Sequence, residues 1–305
     1  MASVTAARVT APTLLDLVPS FERHLRAENK SRKTVTSYTE AVRRLHDYLA
    51  AQGMAVVVAS ISKEHCDAFQ ADQIARLKPS SAKVRNASLR QFFKWAIEEG
   101  ERTSNPMPRP PQVPEHPVPV LSWEHLKALL RTVDHDADFF GRRDAALIRC
   151  FIDTGCRLSE LSDLKVEDMD LDGKSLVFTG KGGHERVSPI GDKSVRAVDR
   201  YLTARAGHRD ADSVHLWLGR SGPMSSYGIA EAVKRRAREA AIGEIHVHQL
   251  RHSAAHHLRV RGADDDALLR LMGWRDRSTL HRYGASAAEE RAREVHHRVG
   301  LGDRL

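Results

Sequence analysis

The sequence predicts a mainly α-helical protein of two domains, with one small β-hairpin in the second domain. Apolar residues recur at helical spacing through most of the 305-residue chain. Seven of the twelve prolines fall within residues 105–119 and interrupt this pattern. Only residues 175–179 and 185–190 read convincingly as a strand pair, joined by a glycine-rich loop. These features indicate two helical regions, a proline-rich segment between them and one hairpin.

Residues 13–104 are predicted to form a helical domain, and residues 1–12 a flexible tail. Four amphipathic helices account for the apolar pattern of this domain. Polar residues that favour helix N-caps mark where the helices begin. The expected starts are Ser20, because Pro19 interrupts the earlier part of the pattern, then Thr34, Ser62 and Ser81.

The polar faces of these helices are basic, and the net charge of the whole chain is +8. Such charge usually marks only a solvated face. A polyanionic partner is favoured here because several cations lie near helix starts, where backbone N–H groups also attract phosphate. Charge alone does not distinguish nucleic acid from an acidic membrane surface. The candidate binding residues are Arg32, Lys33, Arg43, Arg44, Lys83, Arg85, Arg90 and Lys94.

Residues 105–119 are predicted to be an extended, stiff connector, and residues 120–305 a second domain. Ser122 is expected to cap its first helix, and Arg157 to lie near the start of another. The last, strongly charged helix is predicted over residues 287–299. Further helices are expected over residues 144–153, 195–202, 229–241 and 248–258, and over a short segment that ends at Gly273.

A cytoplasmic location is expected. The longest apolar run is too short to cross a bilayer, and the N-terminus lacks a hydrophobic signal region. The three cysteines, Cys66, Cys150 and Cys156, have no paired spacing, which suits free thiols in a reducing compartment.

Reactive side chains are concentrated between residues 246 and 283. His248 and Arg251 lie three positions apart, so in a helix they project from neighbouring parts of one face and could bind one anion. Trp274 follows the predicted helix end, and Tyr283 lies shortly after it. Upstream, TGCRLSEL covers residues 154–161 and GKGGHER covers residues 180–186.

These segments, in this order, resemble the tyrosine recombinase (phage integrase) family, in its short branch without an arm-binding domain. The match rests on TGCRLSEL, the lysine in GKGGHER, the HQLRH element, Gly-Trp and the final tyrosine, which together span about 130 residues. The resemblance implies an N-terminal helical, SAM-like core-binding domain. It also implies an α+β catalytic domain with a small β-hairpin or sheet. The two domains would enclose the DNA duplex.

The resemblance implies DNA cleavage and rejoining through a 3′-phosphotyrosyl intermediate, without metal or ATP. Arg157 and Arg251 would each donate paired N–H bonds to phosphate oxygens, which lysine cannot reproduce. Tyr283 would be the nucleophile and Lys181 the general acid. His248 would accept a proton or donate a hydrogen bond, and both roles remain open. Trp274 replaces the histidine that is commonest in the family, so it can donate a hydrogen bond or pack but cannot carry a proton.

Two neighbouring residues are expected to support the site. Glu160, one turn from Arg157, would orient or buffer the arginine, and His252 would be structural. Strand exchange requires four cleavages, so the implied assembly is a tetramer on two double-stranded DNA recombination sites. It would be a homotetramer or a heterotetramer with a paralogous recombinase, with no membrane partner. The helix over residues 287–299 is the candidate for docking onto a neighbouring subunit.

Two other functions are compatible with parts of the pattern. His248, His252 and His256 recur every four residues and could hold zinc in a hydrolase, but no nearby acidic residue completes a zinc-protease motif. A DNA-binding architectural or regulatory protein could retain the scaffold without catalysis. The presence of all five motif positions argues against it.

Overall fold

The chain divides into two units, Met1–Glu115 and His116–Leu305, in a computed structural model of the protein. The structure describes the following residues: 11–114, 119–134, 138–180, 183, 185–274, 277, 280, 292, 296–297 and 299–300. Lys181, Tyr283 and most of the predicted helix over 287–299 lie outside the described residues.

The first unit is built from four helices around one apolar core. Their amphipathic stripes meet in a cluster of aromatic rings, in which Phe21 packs edge-on against Phe92 with ring centroids 5.3 Å apart. Trp95 completes this cluster and is buried. The helices are α1 (Leu14–Ala27), α2 (Arg32–Ala51), α3 (Lys63–Arg76) and α4 (Pro79–Glu98).

The predicted start of α1 at Ser20 is wrong, because the helix begins at Leu14 and includes Pro19. A capping box holds this start: the Thr13 side chain accepts from the Asp16 backbone N–H, and Asp16 accepts from the Thr13 backbone N–H at 2.9 Å. The cap and the buried apolar stripe of α1 offset the roughly 3 kcal/mol that proline costs inside a helix.

Two further helix starts differ from the prediction. Ser31, not Thr34, caps α2, since the Thr34 backbone N–H donates to the Ser31 hydroxyl at 3.2 Å. The helix α4 begins at Pro79 rather than Ser81, because proline suits the first helical position, where no N–H bond is lost. Ser62 caps α3, in agreement with the sequence pattern.

Residues near both limits of the described part of this unit are bonded to its core. Pro12, assigned to the flexible tail, accepts a hydrogen bond from the Val58 N–H at 3.0 Å. In the predicted connector, Met107 is buried, and the Asn86 side chain donates to the Pro108 carbonyl at 3.1 Å. The first part of the proline-rich segment therefore packs on the helical unit.

Among the described residues, the second unit surrounds a buried helix, α6 (Phe139–Thr154), with six other helices and a small sheet. Leu147, Ile148 and Phe151 of this central helix, α6, are almost fully buried. The buried Trp217 is hydrogen-bonded, because its indole N–H donates to the Leu161 carbonyl at 2.8 Å. The helices are α5 (Trp123–Asp134), α6 (Phe139–Thr154), α7 (Leu158–Ser162), α8 (Asp192–Arg205), α9 (Ser226–Glu239), α10 (Val247–Val260) and α11 (Asp265–Met272).

The sheet has three antiparallel strands, one more than the sequence predicted. The hairpin of β2 (Ser175–Thr179) and β3 (Glu185–Pro189) is extended by β1 (Met169–Asp170), which is too short to leave a periodic signal. Phe178 pairs with Arg186 across the hairpin. Since directly paired residues share a face and Phe178 is fully buried, Arg186 lies on the inner side of the sheet.

The three cysteines are free and buried. Burial raises the pKa of Cys66 and of Cys156 to about 12, so these side chains stay protonated and act as packing groups. Within the described ranges, no helix combines the length and the apolar composition needed to cross a bilayer.

Candidate active site

Three arginine side chains of the second unit converge on the C-terminal end of α11. This helix ends at Gly273, whose positive φ of 61° places it in the left-handed region. Carbonyl groups at a helix C-terminus lack helical partners and carry partial negative charge. Three consecutive carbonyls here, those of Leu271, Met272 and Gly273, each accept from a different arginine.

Arg251 is the buried member of this group and is only 2% exposed. It projects from α10, and its two terminal nitrogens donate to the carbonyls of Gly155 at 2.7 Å and Met272 at 2.6 Å. Gly155 is the left-handed residue that ends α6. Arg251 therefore joins the C-terminal ends of two helices, a placement that suits a cation.

Arg157 is the exposed member of the group, with 46% of its side chain accessible. It precedes α7, and its Nη1 and Nη2 atoms donate to Glu160 Oε1 at 2.5 Å and the Gly273 carbonyl at 3.3 Å. Arg157 and Gly273 are separated by 116 residues in the chain. The structure thus brings the arginine of TGCRLSEL to the turn that precedes Trp274.

The Glu160 side chain is buried between two arginines. Its Oε2 accepts from the Arg157 backbone N–H at 2.9 Å and from Arg186 Nη2 at 2.7 Å. Burial alone would raise the pKa of Glu160, but these hydrogen bonds and the charge of Arg186 outweigh it and hold that pKa below its usual range. The carboxylate is therefore ionised at neutral pH and orients Arg157 against α7.

Arg186 is a site residue to which the sequence analysis assigned no role. It lies on β3, donates to the Leu271 carbonyl at 2.9 Å, and places its guanidinium 4.6 Å from the centre of the Phe178 ring. A signal for it existed in the hairpin register. The length of the loop after Thr179 sets the register in which Phe178 pairs with Arg186, and this register places a cation on the apolar face of the sheet.

Trp274 and His248 occupy different environments around Arg251. Trp274 is mostly buried, and its ring centre lies 5.6 Å from the Arg251 guanidinium. His248 lies in the first turn of α10 and is exposed, whereas His252 is buried one turn later. The two imidazole rings meet edge to face at 4.6 Å. The exposed ring is thus positioned by a buried one.

The composition of the cluster suits the binding of an anion. Guanidinium groups outnumber carboxylates, and each guanidinium carries five N–H donors in a planar fork that matches phosphate. Arg157 makes this charge accessible from solvent, while Arg251 lies deeper. Among the described residues, no group of three histidine, cysteine, aspartate or glutamate side chains could hold a metal ion.

Comparison with known proteins places this arrangement in a family. The model of the phage integrase family matches residues 119–290, and the model of the phage integrase N-terminal SAM-like domain matches residues 18–100. The chain is 31% identical to the tyrosine recombinase XerC of Xanthomonas campestris pv. campestris, over 90% of this chain and 85% of the relative.

Solved structures share the fold. The XerH site-specific recombinase bound to a palindromic difH substrate aligns with a TM-score of 0.74 and 17% identity, over 94% of this chain and 85% of that one. A lambda integrase tetramer bound to a Holliday junction aligns with a TM-score of 0.68 and 20% identity, over 90% and 82%. The fold and the match in sequence define a tyrosine-type recombinase. The chain belongs to the phage integrase family.

Proposed function

We propose that this chain cleaves and rejoins double-stranded DNA at specific sites through a 3′-phosphotyrosyl intermediate on Tyr283. The observation that carries the proposal is the convergence of Arg157 and Arg251 on adjacent carbonyls of the turn before Trp274. A phosphodiester bound there would meet fixed cations that stabilise the extra negative charge of a five-coordinate phosphorus. The two guanidinium groups would neutralise the charge on the phosphate oxygens and so stabilise the transition state of cleavage.

In the proposed step, the Tyr283 oxygen attacks the phosphorus, and the bond to the 5′ oxygen breaks. The phenol proton passes to the His248 imidazole, or it passes to solvent while His248 donates a hydrogen bond to the phosphate. Lys181 gives a proton to the leaving 5′ oxygen. The 5′-hydroxyl of another strand reverses these steps, so the bond energy is conserved in the phosphotyrosyl link and no ATP is consumed.

Covalent trapping tests this function directly. A DNA substrate with a nick near the cleavage position loses a short fragment after attack, so religation cannot occur and the protein stays attached. We expect a stable protein–DNA adduct that survives denaturation. An architectural protein on the same scaffold would bind the DNA and leave no adduct.

We infer that the first unit, over residues 13–104, binds DNA through the basic faces of α2 and α4, and that residues 120–305 carry catalysis. Among the eight candidate cations, Arg85 and Arg90 are committed to structural hydrogen bonds, with Gln73 and with the Met107 and Pro108 carbonyls. Arg44 and Lys94 form exposed ion pairs with Glu40 and Glu98. The remaining four are exposed and have no side-chain partner among the described residues: Arg32, Lys33, Arg43 and Lys83.

Salt dependence measures this contribution. DNA affinity is expected to fall linearly with salt on logarithmic axes, because bound cations release counterions from the phosphates. Lys83→Gln and Arg43→Gln should each reduce the slope by about 1. Arg26→Gln on α1, where the arginine is paired with Glu22, is the control and should leave the slope unchanged. Equal effects from all three variants would contradict the assignment to α2 and α4.

We further propose that four subunits act together on two DNA sites, because complete exchange of two duplexes requires four cleavages. A homotetramer is the simplest assembly, and a heterotetramer with a paralogous recombinase is the alternative. Recombination by the purified chain alone would establish the homotetramer. Dependence on a second recombinase would establish the heterotetramer.

Deleting residues 287–305 tests the assembly role of the predicted C-terminal helix. We expect the truncated protein to bind a single site normally but to lose paired-site complexes and recombination, both visible on native gels. Deleting only residues 301–305 retains the predicted helix and is the control. Unchanged recombination by the longer truncation would refute the docking role.

A further inference from the structure

Arg186 makes contacts that tie three parts of the site together. Its backbone belongs to β3, on the hairpin whose loop contains Lys181 in the sequence. Its guanidinium binds Glu160 at 2.7 Å and the Leu271 carbonyl at 2.9 Å. Glu160 in turn binds Arg157, so Arg186 and Arg157 hold the same carboxylate from opposite oxygens, Oε2 and Oε1.

The two arginines differ in how far their side chains are exposed to solvent. The side chain of Arg157 is 46% exposed, whereas that of Arg186 is 13% exposed. A phosphate arriving from solvent therefore meets Arg157 first. Arg186 lies behind it, against the Phe178 ring, where its charge acts on Glu160.

The charge balance shows why the second arginine matters. Glu160 and Arg157 alone would form a neutral pair, in which the carboxylate competes with a phosphate for the same guanidinium. With Arg186 present, two cations share one carboxylate, and the group keeps a net positive charge. The low pKa of Glu160 agrees with this arrangement, because the charge of Arg186 is among its causes.

The absence of a side chain at Gly273 leaves room for the Arg186 side chain. A Cβ atom on Gly273 would lie 2.8 Å from both the Cδ and Nε atoms of Arg186, closer than side chains tolerate. The left-handed glycine that ends α11 thus also leaves the space through which Arg186 reaches the Leu271 carbonyl.

We propose that Arg186 is a positioning residue that takes up the negative charge of Glu160 and thereby keeps Arg157 available to the phosphate. This inference rests on the proposed function. It adds a residue that touches neither DNA nor the reacting atoms, and acts on the phosphate only through Glu160 and Arg157.

A cycle of four proteins tests it: the wild type, Arg186→Gln, Glu160→Gln and the double variant. The rate measured is single-turnover cleavage of the nicked DNA substrate. Arg186→Gln is expected to slow cleavage by about 10–100-fold, the range seen when a residue that orients a metal ligand is replaced. In the Glu160→Gln background the same change should cost less than about threefold, since no carboxylate is left to neutralise.

A purely structural role predicts a different result, because lost packing would slow cleavage by the same factor in both backgrounds. Such equal costs, or a wild-type rate in Arg186→Gln, would overturn the inference. Arg205→Gln is the matched control. Arg205 is also buried and donates to backbone carbonyls, among them those of Ala211 and Ser213. Its loss lowers stability without altering the charge around Arg157.

Thermal unfolding and single-site DNA binding establish that each variant is folded. If Arg186→Gln does not fold, Arg186→Lys replaces it, because lysine keeps the charge but loses the planar fork. A rate within about tenfold of the wild type then supports the inference, and a larger loss overturns it. Failure of the wild-type protein to attach to DNA would overturn the proposed function, whereas equal costs in the cycle would overturn only the role of Arg186.

Discussion

Replacing Tyr283 by phenylalanine is expected to abolish covalent attachment to DNA while leaving site binding intact. The substitution removes only the phenolic oxygen, so the shape and the positive charge of the protein are preserved. Without that oxygen no phosphotyrosyl bond can form, and the loss should exceed about 10⁴-fold, as for other removed nucleophiles. Adduct formation on the nicked substrate and equilibrium binding to an intact site measure the two properties separately.

A matched control is Tyr227→Phe. Tyr227 lies on α9 and is 75% exposed, so the same atom is removed from a solvent-exposed ring with little loss of packing. This variant should form adducts at the wild-type rate. Continued attachment by Tyr283→Phe would show that another side chain is the nucleophile.

Replacing Arg251 by lysine is expected to have the next largest effect, although the charge is kept. A single ammonium group cannot reach the carbonyls of both Gly155 and Met272, which the two arms of the guanidinium now bind. Cleavage should fall by about 10²–10³-fold, as when one oxyanion donor is lost. Leaving one buried carbonyl without its donor should also cost about 1–3 kcal/mol of stability.

The two effects are separated by measuring cleavage at a temperature where the variant is folded, as judged by thermal unfolding. Arg205→Lys provides the comparison, because it disturbs a buried arginine that binds carbonyls elsewhere in the same unit. It should lower stability and leave the cleavage rate of the folded protein unchanged. A wild-type cleavage rate in Arg251→Lys would remove Arg251 from the proposed site.

The helix and strand pattern was largely predictable, because it depends on local periodicity. The errors fell at ends and at short elements. Pro19 suggested a break that a cap and core packing override, and the cap of α2 is Ser31 instead of the predicted Thr34. The strand β1 contains two residues, Met169 and Asp170, so its existence depends on its partner β2 rather than on its own sequence.

The sequence predicted two of the three arginines of the cluster, but it missed Arg186 and did not predict the contacts within the cluster. The spacing from His248 indicated Arg251 as a candidate for binding an anion, and the resemblance of TGCRLSEL to the family implied the same role for Arg157. The sequence did not indicate that Arg251 would be buried between two helix ends, or that Glu160 would be shared with Arg186. Those contacts join residues up to 96 positions apart.

By itself, the sequence determined two helical regions and a hairpin. It also determined the order along the chain of the arginines, histidines, tryptophan and tyrosine that could form a site. Periodicity, capping and residue chemistry are local properties, so they can be read along the chain. Only the tertiary structure decided that Arg251 joins the ends of α6 and α11. It also decided that Arg157, Arg186 and Arg251 each bind a different one of three consecutive carbonyls at the end of α11. The physical reason is that a helix end leaves its carbonyls unpaired, and packing alone determines which distant cations can reach them.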